Sequence, residues 1–598
     1  MGRVAPQPLL HRGGVDRRAP GAVHHLDIGA GAFQSFDSEG PPPDPDEPGE
    51  PTPPPPDPPP PAAGSAGGRV VVTVACNTTT GNQTIPFPEG ALSRAPAAFR
   101  FTVTRALTSG TPADHSYFAR GWAMLDGETV VQGAAGIRSQ HNTGTTSSGR
   151  RTITDGCIFI TNGNNNTITG QASFVSGDQD ECVINWTSAP PSAFLLTVEA
   201  FDADAAYLGV FEIATAVDDY VTVTTGIDGN YAEIVTVNGS IPNSQANNRW
   251  SHGLATRDEI GNITQQCFLY QAANSASTTA IGAHLRNEYV GGEPADGGAM
   301  SRAIQLSNWG ATSFRVNTQV ATFSSGIQAF VFVLKFDMGV YSGIVAMPDN
   351  ADGDRRDYRH TVGFEPGQVD LLATGLVAVG SADNTGNAGT WTVGAWDGDT
   401  QVSNGVTDRD GVGTSVTKSV TREGKISHLN QHDGTAGIEA EVIGATATEL
   451  AIDYEPALTV DKYAILVAVQ APEIKSLVAI PTADPTEGVA PLTVQFTDAS
   501  TANNTTITEW EWEWDFGIFS TEQNPEHTFE LPGLYIILMS VGDGDISHVA
   551  ALPVPITVNE PPDPPPPPPP PLTVKVLASA DAPKIAVSDV IASAEVIE

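Results

Sequence analysis

The sequence predicts an all-β protein made of tandem β-sandwich modules joined by Pro-rich linkers, and three observations lead there. Glu509, Glu511, Glu513 and Asp515 alternate with Trp510, Trp512, Trp514 and Phe516. A pleated strand sends successive side chains to opposite faces, so this run is a half-buried strand with one aromatic and one acidic face. The chain carries 60 Gly and 47 Pro, its Gly/Asn/Asp/Thr clusters are spaced as sandwich loops, and no amphipathic helix pattern of useful length precedes its tail. Finally, similar segments recur three times in the same order across some 400 residues.

In chain order, residues 1–40 contain Arg17, Arg18, His24 and His25 and resemble an N-terminal docking arm that orders on a partner. Residues 41–68 form a Pro-rich linker, whose run Pro41 to Pro61 would extend roughly 65 Å as a polyproline rod. Three repeats follow at 69–206, 207–337 and 338–472. Each closes on an apolar strand: Phe194 to Phe201, Ala329 to Phe336, and Lys462 to Val469. Each also carries a mid-unit strand: Arg120-Gly121-Trp122-Ala123, His252-Gly253-Leu254-Ala255, and Val393-Gly394-Ala395-Trp396. The openings are matched by pairing Leu208-Gly209-Val210-Phe211 with Met338-Gly339-Val340-Tyr341. A further module spans 473–559, a polyproline linker 560–571, and a tail 572–598 too short to bury its own core, which is expected to add strands to a neighbour.

Within 473–559, the segments Ala490-Pro491-Leu492-Thr493-Val494-Gln495-Phe496-Thr497-Asp498, Trp512-Glu513-Trp514-Asp515-Phe516-Gly517, Asn524-Pro525-Glu526-His527-Thr528-Phe529 and Pro532-Gly533-Leu534-Tyr535 stand in an order and spacing that resemble the PKD domain, an immunoglobulin-like β-sandwich. The resemblance covers about residues 476–558 and makes Trp510, Trp512, Trp514, Phe516 and Tyr535 its core. It implies a spacer or adhesive module of an extracellular protein. Ile518 and Phe519 replace the Asp-Gly that usually continues the family's Trp-Asp-Phe-Gly strand, so the turn is altered and the resemblance does not by itself imply a cation site there.

The formal net charge is −40, from 69 acidic and 29 basic residues. Such a surface repels phosphate backbones, so a nucleic-acid partner is not expected. No apolar run approaches the length of a membrane span, and Met1 to Ala30 has no continuous apolar core of a secretory signal. The four cysteines, Cys76, Cys157, Cys182 and Cys267, contain no Cys-x-x-Cys pair. Cys157 and Cys182 could bridge; buried thiols are the favoured alternative.

No catalytic residues are expected, since the chain lacks metalloprotease, nucleophile-elbow, phosphate-loop and dinucleotide patterns. Asp349, Asp352 and Asp354 have the spacing of oxygen ligands for Ca²⁺, but Ala351 interrupts them and Arg355 and Arg356 adjoin them. A surface turn is the favoured reading, and no cofactor is expected. Trp250, Trp309 and Trp396 are candidates for stacking on sugar rings, against the favoured alternative that each fills the core of its own sandwich.

A basic arm, tandem β-modules and loops rich in Gly, Thr and Asn together resemble a minor tail or tail-fibre protein of a tailed bacteriophage. That resemblance implies a virion structural protein without enzymatic activity. Residues 1–40 and the tail 572–598 would dock on other tail proteins, and the sandwiches would meet a host-envelope glycan or protein. It also implies an oligomeric place in the virion tail and release by lysis. A cell-surface adhesin, a capsid decoration protein and a secreted carbohydrate-active protein with a PKD spacer are the alternatives.

Overall fold

The computed structural model describes residues 68–569, except 163–165, 238, 278, 295–299, 323–325, 348–357, 381–388, 410, 431–435, 456–461, 472–475, 504, 516–517 and 545. The arm, most of the first linker, the tail and Asp349, Asp352 and Asp354 therefore lie outside the described residues. Every regular element among the described residues is a β-strand, and the strands form tandem sandwiches.

Three sandwiches share one topology. In the first, the large sheet runs Arg69–Ala75, Leu195–Phe201, Ala98–Val103, Ser116–Asp126, Thr129–Ser139 and Ser148–Ile153. Gly81–Pro86, Glu181–Ser188, Ile168–Gly177 and Ile158–Thr161 face it as a four-stranded sheet. The second repeats this order from Ala205–Ile213 to Ile281–Arg286, and the third from Val340–Met347 to Thr417–Glu423, each with its own four-stranded layer. All pairings in these sheets are antiparallel.

One glycine fixes the correspondence between the sandwiches. Gly121, Gly253 and Gly394 pair with Phe101, Ile234 and Leu371 in the preceding strands. A Cβ at each would lie 1.7, 1.5 and 1.7 Å from the carbonyl oxygens of Cys157, Val290 and Ile426. Those carbonyls all stand just before an edge strand of the small sheet, so the two layers of each sandwich meet at a point where only glycine fits. The recurring mid-unit strands in the sequence are these strands.

The opening repeat differs from the sequence expectation by four residues. Gly209 pairs with Val331 and Gly343 with Leu466, and these two partners are equivalent through their pairing with Ile234 and Leu371. Gly209 therefore corresponds to Gly343, not to Gly339. At both positions glycine leaves room for the ring of a tyrosine two residues earlier: an added Cβ would stand 2.4 Å from Tyr207 Oη and 2.6 Å from Tyr341 Oη. The apolar pattern around Gly339 imitates the match without this steric reason.

The sandwiches are interlocked. Asn243–Ala246, from the second, pairs with Ser148–Ile153 at the edge of the first sheet. Ala113–Asp114, from the first, pairs with Lys418 and Ser419 at the edge of the third. Gly380, from the third, donates its N–H to Leu285 O at 2.9 Å on the edge strand of the second. Each sandwich thus reaches onto one neighbour, and the three contacts form a cycle. Ser148–Ile153 and Thr417–Glu423 each gain a strand partner in this way, and Ile281–Arg286 a single hydrogen bond, which covers part of an open template for strand addition.

Each sandwich has a core of its own, and a further core lies where the three large sheets meet. Central strands are consequently buried on both faces: Ala98–Val103, Tyr231–Thr236 and Pro366–Thr374 are buried throughout. That explains why Ala329 to Phe336 is nearly continuously apolar instead of alternating.

Residues 476–559 form a separate sandwich with its own core, made of Val494, Phe496, Trp512, Trp514, Phe529 and Met539 among others. Glu509–Asp515 pairs with Leu538–Gly542, and in that strand Trp512 and Trp514 are buried while Glu509 and Glu511 are exposed. Glu560–Pro569 follows as exposed chain without regular structure.

Candidate functional site: the junction of the three sandwiches

At the centre of the shared core three aromatic side chains meet. Phe118, Trp250 and Trp391 stand three residues before Gly121, Gly253 and Gly394, so they are equivalent in the repeat. Their ring centroids are 5.5 Å (Phe118–Trp250), 4.8 Å (Phe118–Trp391) and 6.2 Å (Trp250–Trp391) apart. The first two contacts are edge-to-face, the favoured geometry for aromatic quadrupoles.

A charged constellation lies beside this cluster. Arg100, Glu233 and Asp370 each stand one residue before the partner of the packing glycine, so they too are equivalent. Arg100 donates to Glu199 at 2.5 and 2.9 Å, to Asp370 Oδ1 at 2.7 Å and to Tyr231 Oη at 3.0 Å, and reaches Glu233 at 3.3 Å. Arg69 bridges Glu199 and Asp370 at 3.1 and 2.5 Å. Arg120 Nε lies 2.6 Å from Glu233 Oε1, and Trp122 Nε1 donates to Glu233 Oε2 at 3.1 Å. Tyr231 donates to Asp370 Oδ2 at 3.1 Å.

These groups are buried, and their ionisation follows from that. Burial alone would raise the Glu233 and Asp370 carboxyls. Arg120 and Arg100 outweigh it at Glu233, Arg100 and Arg69 at Asp370, and both carboxyls are held well below the usual carboxylate range. His252 Nε2 is 2.8 Å from Glu233 Oε1, yet burial lowers its pKa.

A second buried acid, Asp408 of the third sandwich, accepts a hydrogen bond from Tyr270 of the second. Burial pushes its carboxyl up to about 6, against hydrogen bonds from Tyr270, Ser116 and Ser139. Among the described residues no arginine or lysine offsets its burial as the guanidinium groups do at Glu233 and Asp370. Other contacts between sandwiches are neutral in Thr104–Thr421 and Thr256–Ser342, both at 2.8 Å, and charged in the Lys418–Asp114 pair at 2.5 Å.

Chemically, the junction holds units together. Its carboxylates are engaged by guanidinium, indole and phenol donors, and the void beside Arg69 and Asp370 is about 10 Å³, less than a substrate atom group needs. An open cleft of about 790 Å³ does lie between the second and third sandwiches, bordered by Asp228, Asp258, Glu259 and Asp337. There Arg257 pairs with Asp228, and Lys335 with Asp337 at 2.9 Å.

The sequence-predicted site residues fall differently. Trp250, Trp309 and Trp396 are 0%, 7% and 7% exposed, so none presents a ring face to a sugar. Trp309 and Trp396 fill the cores of the second and third sandwiches, whereas Trp250 belongs to the shared core. Cys157 and Cys182 are free, buried thiols in the first core, and burial raises both pKa values. In the last module, Trp512 packs on Phe496 at 5.4 Å and Trp514 stacks on His527 at 4.6 Å. Trp510 donates to Asp498 Oδ2 at 2.8 Å, and Tyr535 donates to Leu531 O at 2.9 Å. Phe516 lies outside the described residues. Among the described residues no cluster of His, Cys, Asp and Glu has metal-binding geometry.

Sequence reasoning missed the junction. The available signal was a charge inside an apolar strand, in Phe99-Arg100-Phe101, Ala232-Glu233-Ile234 and Val369-Asp370-Leu371, at one repeat position with unlike signs.

No protein-family profile and no curated protein matches the chain. Among solved structures, the four N-terminal Ig domains of Dscam1 isoform 6.44 are similar at 9% identity, over 83% of this chain and 100% of that chain, with a TM-score of 0.14. At that score the likeness carries no argument about arrangement or role.

Proposed function

We propose that this protein is a structural component of a virion, a minor tail or tail-fibre protein of a tailed bacteriophage that presents β-sandwich surfaces to the host envelope. One observation carries the reading: the charged constellation at the heart of the three sandwiches is consumed in holding them together. Such a body suits display better than turnover, so no enzymatic activity and no cofactor is assigned. The PKD-like order of motifs in the last module, with Trp512 and Trp514 in its core, supports an adhesive or spacer role there. Residues 1–40 and 572–598 would hold the chain to other tail proteins, and the host partner would be an envelope glycan or protein.

The interlocked body favours one second reading, a capsid decoration protein. Three equivalent sandwiches closed about one core fit a threefold position on a shell better than a beaded fibre does. Mass spectrometry of purified particles, with immunogold labelling against residues 476–559, tests both. Label on the tail supports the first reading and label on the shell the second. A protein absent from particles and found on cell envelopes overturns both and leaves the adhesin.

A further inference from the structure

The junction distributes its charges by sandwich. The first supplies the cations Arg69, Arg100 and Arg120 with one carboxylate, Glu199, and so a net excess of positive charge, while the second supplies Glu233 and the third Asp370. At the one equivalent position the repeat therefore reads cation, carboxylate, carboxylate. Three copies of the first sandwich would bring three guanidinium groups together in the dry centre, and three copies of the second or third would bring three carboxylates. Like charges facing each other in a desolvated contact oppose pairing strongly. The flanking donors fix the order as well as the balance. Trp122 and Arg120 of the first sandwich address Glu233, and Tyr231 of the second addresses Asp370.

We infer that Arg100, Glu233 and Asp370 form a pairing code that closes the body from one sandwich of each kind, in one order, and refuses a second copy of the same sandwich. The interlocking makes such a code necessary. Each sandwich already lends a segment to its neighbour, and the second joins the first through only Asp202 to Asp204, the third through only Phe336 to Gly339. Short connectors and exchangeable edge strands are the conditions under which domains swap between copies. Copies crowded on one surface would close bodies around two or three copies of the same sandwich if any combination closed equally well. The aromatic cluster of Phe118, Trp250 and Trp391 cannot supply this discrimination, because apolar rings accept one another in any order.

Two full-length chains test the code. Arg100→Glu leaves three carboxylates at the equivalent position, and Glu233→Arg leaves two cations and one carboxylate. Neither is expected to show the thermal transition of the three-sandwich body when refolded alone. The last module has a separate core, so its own transition reports whether each chain otherwise folds. Refolded together, one chain contributes Arg100 and the other Glu233, and each pair of chains can build one correct junction. The expected result is a two-chain species by native mass spectrometry, with about half the body transition restored, in at least about tenfold excess over self-pairs. A body transition in either variant alone that matches the wild type overturns the inference. So does a mixture that yields no two-chain species.

Discussion

Asp408 should make the stability of the body fall as pH rises. Its carboxyl is 1% exposed at the meeting of three sandwiches and is pushed up to about 6 from an ordinary 3.8. A raised folded-state value means that folding favours the protonated acid. Its contribution is complete below about pH 3.8 and is lost as pH rises through about 6. A shift of about two units corresponds to about 3 kcal/mol in total, roughly half of it between pH 5 and pH 7. Asp408→Asn keeps an acceptor for Tyr270 and cannot ionise. Urea unfolding of both proteins at pH 5, 6 and 7, followed through the body transition, isolates the residue, because every other titration cancels in the difference. Wild type should lose roughly 1.5 kcal/mol relative to Asp408→Asn across that range. A difference that stays constant between pH 5 and pH 7 would refute the reasoning, since Asp408 would then be as ionised in the fold as in the unfolded chain.

Other outcomes follow from the same geometry. Arg100→Met leaves three carboxylates short of a cation and should cost about 3–5 kcal/mol by thermal unfolding, with Arg100→Met/Asp370→Leu costing less than the sum of its parts. Gly253→Ala would set a Cβ 1.5 Å from Val290 O and should lower body stability by about 3 kcal/mol or more, whereas Gly444→Ala, which meets nothing within 4 Å, should be near neutral in the same assay. Trp512→Ala removes a fully buried ring and should cost the last module about 3–5 kcal/mol while leaving the body transition in place, which calorimetry resolves.

Local patterning made the strands and repeats legible. The alternation in Glu509–Asp515 survives as buried Trp512 and Trp514 against exposed Glu509 and Glu511. The packing glycines at 121, 253 and 394 could be aligned because the Arg-Gly-Trp, His-Gly-Leu and Val-Gly-Ala frames keep their place in each unit. What sequence could not show is long-range closure. Asn243–Ala246 reads as an unremarkable loop until Ser148–Ile153 is beside it. Trp250 has the same local frame whether it fills its own sandwich or a core shared with Phe118 and Trp391. Arg100, Glu233 and Asp370 are separated by more than a hundred residues each, so their joint neutralisation exists only in the folded chain.

Differential scanning calorimetry of the full-length protein tests the central claim, that three sandwiches form one body around a shared core. A shared core should give one large transition for residues 69–470, with calorimetric and van't Hoff enthalpies in agreement, and a separate smaller one for residues 476–559. Three further transitions of single-sandwich size, each with its own midpoint, would contradict it and return the chain to a string of independent modules.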